Sequence, residues 1–159
     1  EICACLVGSE MCIRDRCITD RFYQLVKPEP DWYIRYFSES IHGIYPEDTA
    51  EEPTFDIVWQ NMCRQFGLDD DNLPDTAFVA HNKVFDERCL KATHKVYGMT
   101  WCDSPFYCTL TASRRKIPRQ LIGSHSLPSV CDFLGIPFYN HHNALADAEA
   151  CAKIAMTLL

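Results

Sequence analysis

Residues 77–98 read AFVAHNKVFDERCLKATHKVYG and hold two patterns in succession. The first, AFVA at 77–80, is short and continuously apolar, which reads as a buried strand rather than a helix. The second, VFDERCLKATHKVYG at 84–98, reads as a helix stopped by Gly98. A strand leading straight into a helix is the building unit of an α/β layer fold. Asp86 arrives six residues after Ala80, at the start of that helix. Ligand crevices in open α/β sheets form at the carboxyl ends of strands, and a carboxylate there can ligate a hard cation such as Mg²⁺. The plainer alternative is that Asp86 only caps or begins its helix.

The flanking segments extend the alternation. ITDRFYQLV (18–26) suits a strand ended by KPEP. Residues 31–53 form a loop-rich connection. TFDIVWQNMCRQFG (54–67) sets Phe55, Val58, Trp59, Met62 and Phe66 on one helical face, with Thr54 as cap and Gly67 as stop. LDDDNLPDT (68–76) is an acidic, solvated turn. PFYCTL (105–110) is a strand, TASRRKIP (111–118) a short basic helix or turn, SLPSVCDFLG (126–135) a helix, and residues 144–159 the last helix. The expected fold is α/β with a mixed sheet flanked by helices, in one domain.

Composition narrows the class. The 159 residues are 47% hydrophobic and 23% charged, ordinary values for a soluble globular domain. No apolar run approaches a membrane span, and no signal-peptide pattern is present. The net charge of −7 argues against broad affinity for nucleic acid, yet not against nucleic acid as a substrate, because bound cations offset carboxylates. Ten cysteines are scattered without zinc spacing. A reduced cytoplasmic protein with mostly buried thiols fits them better than a disulfide framework.

The last stretch, HHNALADAEACAKIAMTLL (141–159), poses a second question of spacing. At about 100° per residue, positions 142 and 147 would lie roughly 140° apart on a helix. His142 can work beside Asp147 only from the turn before the helix, where an imidazole suits a general base. Asp147, within about the first turn, can face a metal. The plainer reading is a surface histidine and a dipole-favourable acid.

Together, HNxxFD after a strand and HxAxxDA opening a helix some 55 residues later form a specific combination. It resembles the DEDDh group of the DnaQ-like 3′–5′ exonucleases, which includes the proofreading epsilon subunit of bacterial DNA polymerase III. The resemblance runs from about Ile18 to Leu159 and takes in SIHGIYPEDT, YCTLTASRR and HSLPSVCDFLGIPF. It implies a ribonuclease H-like sheet and hydrolysis of phosphodiester bonds at the 3′ end of single-stranded nucleic acid, DNA favoured over RNA. A DNA polymerase subunit is the implied partner. By that resemblance, Asp86 and Asp147 are metal ligands and His142 activates the attacking water. Ile41, His42 and Gly43 match a loop that approaches the terminal nucleotide, though Ile41 could equally be core. Asn82 and Phe85 more naturally shape the strand-to-helix turn beside the substrate, and His141 has no assigned role.

The implied cofactor is a pair of Mg²⁺ or Mn²⁺ ions, whose separation of about 4 Å gives a repulsion of roughly 17 kcal/mol at an effective dielectric near 20. Several carboxylates must offset it. The family draws two of them from a D-x-E on the first strand, where i and i+2 point the same way. No D-x-E occurs before Ile18, and Glu149 of the DAE at 147–149 would face away from Asp147 on a helix. The stretch CLVGSEMCIRDR does not resemble the family and is similar to a translated sequencing adapter. Residues 1–17 are therefore expected to be a non-native segment, with EICACLV a remnant of the second strand, and 18–159 a single exonuclease-like domain truncated before its catalytic first strand.

SRRKIPRQ (113–120) concentrates basic residues in an acidic chain. Arg114 and Arg115 are candidate phosphate contacts; the alternative is a solvated helix face. Two other functional readings stand beside the exonuclease: an exoribonuclease, and a non-catalytic module that binds nucleic acid or a polymerase subunit.

Overall fold

The computed structural model describes residues 2–6, 9–28, 35–37, 39–40, 43–139 and 143–159. In chain order its elements are β1 (Ile2–Leu6), β2 (Ser9–Arg14), β3 (Cys17–Tyr23), α1 (Arg35–Phe37), α2 (Pro46–Thr49), α3 (Phe55–Phe66), β4 (Ala77–Ala80), α4 (Lys83–Val96), β5 (Phe106–Cys108), α5 (Thr109–Lys116), α6 (Arg119–Ile122), α7 (Leu127–Phe133) and α8 (Ala144–Leu158).

The sheet runs β3-β2-β1-β4-β5. β1 pairs antiparallel with β2, and β2 with β3. β1 and β4 are parallel, with Cys3 opposite Phe78, and β4 and β5 are parallel, with Phe78 opposite Phe106. Ile2–Leu6 thus occupies the central position beside β4, and none of its residues is acidic.

All residues of β4 are buried, as an interior strand with helices on both faces requires. Successive side chains point to opposite faces. Phe78 and Ala80 join Phe55, Val58, Trp59, Met62 and Leu90 under α3 and α4. Val79 instead meets Ala148, Cys151, Ala152 and Ala155 of α8. The alanine content of α8 follows from this contact, because small side chains let the helix lie close against the sheet. Its other side, Ala150, Ile154 and Leu158, packs on Ala112 of α5 and on Leu127, Val130 and Cys131 of α7.

The expected face of α3 is the buried one: Phe55, Val58, Trp59, Met62 and Phe66. Gly67 ends the helix in the left-handed region, at φ 67°, where a side chain would be strained. Thr54 is the N-cap residue, but its hydroxyl donates to the Asp56 carboxylate rather than to a helix-end amide. The strand at 105–110 is shorter than its sequence suggests. It stops at Cys108, and Thr109 opens α5 with its side chain fully buried. The turn at 68–76 is more structured than an acidic, solvated loop. Leu68 and Leu73 are buried, and the Asp69 carboxylate accepts from the amides of Asp71 and Asn72. Cys12, Cys131 and Cys151 are buried thiols and Cys17 is exposed. No described helix is long and apolar enough to cross a membrane.

Candidate active site

The inward stripe of α4 is Asp86, Leu90 and His94, spaced four residues apart so that they share one face. Leu90 and His94 fill the core as expected. Asp86 holds the first place of the same stripe, only 3% exposed, where an apolar residue would ordinarily sit. Its Oδ1 has no hydrogen-bond partner. Burial pushes its carboxyl up to about 6 from 3.8. As the fourth residue of α4, Asp86 lies beyond the cap, which is Asn82. Helix capping therefore does not account for it.

Asn82 makes the turn from β4 into α4 in the left-handed region, φ 75°, ψ 52°. Asparagine is among the few residues that tolerate it. That turn swings α4 so that its first turn lies over the end of β4. Phe85 points outward and is 64% exposed. Gly43 has φ 68° and open space where a side chain would begin. Ile41, His42, His141 and His142 lie outside the described residues.

At the start of α8, the Asn143 side chain caps the helix by accepting from the amide of Ala146, at 3.1 Å. The amide of Asp147 donates to Asn143 O, at 2.9 Å. Asp147 is half-buried. Cys151 lies one turn further along the same face of α8 and feels the charge of Asp86. Burial first, then the Asp86 charge, hold the Cys151 thiol up near 12, so it stays protonated.

The donors fit a hard cation in part. A buried carboxylate oxygen with no partner is what a cation would satisfy. Among the described residues, though, no three His, Cys, Asp or Glu side chains cluster closely enough to hold a metal.

A polar network missed in the sequence reading adjoins the site. His81 Nε2 donates to His125 O at 2.9 Å, and His81 Nδ1 is 2.9 Å from Thr109 Oγ1. Burial lowers the His81 pKa, so the ring is neutral. The carbonyl fixes the proton on Nε2, and Nδ1 accepts from the threonine. His81 is the first residue of the HNxxFD motif, so a signal was present, but nothing in the sequence said what it would touch.

The family model for exonucleases, RNase_T, matches residues 4–155. The chain belongs to this exonuclease family. Within it, the DNA polymerase III PolC-type of Thermotoga petrophila is 32% identical over 143 residues, covering 89% of this chain and 10% of its own length. The chain thus spans about a tenth of that relative. Among solved structures, Exonuclease X in complex with 5′ overhanging duplex DNA is similar with TM-score 0.67 and 21% identity, over 99% of this chain and 89% of that one. The nuclease domain of 3′hExo, a DEDDh family member bound to rAMP, is similar with TM-score 0.67 and 20% identity, over 88% and 72%. The ribonuclease H-like fold of these exonucleases is therefore the fold of this chain.

Proposed function

We propose that this domain is a metal-dependent 3′–5′ exonuclease acting on single-stranded nucleic acid, DNA favoured, and that it works in the cytoplasm in company with a DNA polymerase subunit. The observation that carries the reading is Asp86: a buried carboxylate with an unpartnered oxygen, in the first turn of the helix that follows β4. The PolC-type relative supports DNA over RNA.

Asp86 and Asp147 would hold Mg²⁺ or Mn²⁺, which would supply charge for the attacking and leaving oxygens. His142 takes the proton of the attacking water. Gly43 and the neighbouring Ile41 and His42 meet the terminal nucleotide, with Asn82 fixing the turn and Phe85 offering an exposed ring beside it.

Turnover is expected to be weak. The central strand Ile2–Leu6 brings no carboxylate, so the offset to two divalent charges is incomplete. On this reading residues 1–17 carry non-native sequence, and Ile2–Leu6 and Ser9–Arg14 nonetheless pair into the sheet as β1 and β2. Sequencing the parent gene upstream of Ile18 tests that, and an in-frame CLVGSEMCIRDR there would refute it.

The functional test is incubation with Mn²⁺ or Mg²⁺ and a 5′-labelled single strand, as DNA and as RNA. Slow shortening from the 3′ end, abolished in Asp147→Ala, is expected. Ordinary exonuclease rates would overturn the crippled-site reading. Faster loss of RNA would overturn the DNA preference, and cleavage from the 5′ end the direction.

A further inference from the structure

Beside the His81 network lies a groove of about 660 Å³, lined by residues from α5 through the start of α7. Asp86 and Asp147 do not line it. Arg114 projects from α5 and Arg119 from the start of α6, and both border the groove. Neither makes an ion pair among the described residues, and both are exposed. Arg115, the neighbour of Arg114 in sequence, is not part of the lining.

The opposite wall is the segment from Gly123 to Ser126. The hydroxyl of buried Ser113 donates to Leu110 O at 2.9 Å, so toward His125 Nδ1, 3.2 Å away, it can only accept. His125 therefore donates from Nδ1 to that hydroxyl, and its ring borders the groove. Ser124 and Ser126 add exposed hydroxyls. Two guanidinium groups and two serine hydroxyls around one concavity form a donor set for a phosphate oxygen cluster. In a chain of net charge −7, such a spot is the electrostatic exception.

We infer that this groove is a second phosphate subsite, in which Arg114 and Arg119 hold a backbone phosphate of the substrate strand away from the bond being cut. The inference rests on the nuclease reading above and adds to it where the rest of the strand lies. His81 joins the two places: it follows Ala80 at the end of β4, and its ring holds the His125 carbonyl. Base identity plays no part, because the contact is to the sugar–phosphate backbone.

The test is fluorescence anisotropy of a 12-nucleotide oligothymidylate with the full chain, across a salt series. Arg114→Ala and Arg119→Ala are each expected to weaken binding about tenfold, and the double variant to flatten the log–log salt slope by about 0.7, the value for one phosphate of a single strand. Lys116→Ala, which removes the same charge outside the groove, is expected to stay within twofold. Equal losses in all three variants, unchanged binding in the arginine variants, or no binding by the unmodified chain would each overturn the subsite. So would a thymidine 5′-monophosphate that bound as tightly as the strand and lost affinity equally, since that describes a site for free phosphate esters. Because binding and hydrolysis are read separately, arginine-dependent binding without cleavage under Mn²⁺ would sink the nuclease reading and leave the subsite standing.

Discussion

His81 Nδ1 lies 2.9 Å from Thr109 Oγ1, and this contact ties the end of β4 to the start of α5. The same ring reaches the His125 carbonyl through Nε2. One side chain thereby fixes three segments around the carboxyl end of the sheet. His81→Ala leaves the His125 carbonyl without its donor and is expected to cost about 1–3 kcal/mol. Urea unfolding at pH 7.5 measures it; a loss under about 0.5 kcal/mol would show that the network is not structural.

Asp86 makes the fold less stable than it could be. Its carboxyl titrates near 6 in the fold and near 3.8 when free, so the folded state binds the proton more tightly. Stability from this group falls as pH rises from about 3.8 to 6, and the cost is fully present above that window. A shift of this size corresponds to about 3 kcal/mol. Asp86→Asn is therefore expected to stabilise the domain by about 2–3 kcal/mol at pH 8 and by little at pH 4. Equal denaturation midpoints for the two proteins at pH 8 would refute the account.

The same strain predicts a response to metal. A divalent cation that satisfies Asp86 stabilises the folded state by mass action. Millimolar Mn²⁺ at pH 8 is expected to raise the melting temperature of the unmodified chain. The rise should shrink in Asp147→Asn and vanish in Asp86→Asn. A rise of the same size in Asp86→Asn would place the ion elsewhere.

Legibility in the sequence followed the range of the forces involved. The buried face of α3 could be read residue by residue because helical periodicity is local. So could β4 as a buried strand, since four apolar residues in a row have no other economical place. The proposed link between Asp86 and Asp147 has only a motif behind it in the sequence, because α4 and α8 are far apart in the chain and pack on opposite faces of the sheet. The groove beside Arg114 and Arg119 was half visible. The basic run was plain, but which arginine faces inward depends on where α5 stops, and Ile117 ends that helix by its own burial. The His81–Thr109–His125 network had no local pattern at all, since its partners lie 28 and 44 residues away.

His94 supplies a titration of opposite sign to Asp86. Its ring meets Trp59 edge-on at 4.4 Å and Trp101 at 5.0 Å, and its Nδ1 donates to Leu90 O at 2.8 Å. Burial lowers its pKa below the ordinary 6.5, so the unfolded chain binds the proton more tightly. This contribution is fully present above pH 6.5 and is lost as pH falls below it. Between about pH 6 and 4, acidification therefore relieves Asp86 and burdens His94, and the two effects partly cancel in the unmodified chain. Asp86→Asn removes the first and is expected to expose a steeper loss of stability on acidification. His94→Phe in the same background keeps an aromatic ring among the tryptophans and is expected to flatten that loss. Urea midpoints at half-unit steps from pH 7.5 to 4.5 check both, and an Asp86→Asn curve no steeper than that of the unmodified chain would contradict the assignment.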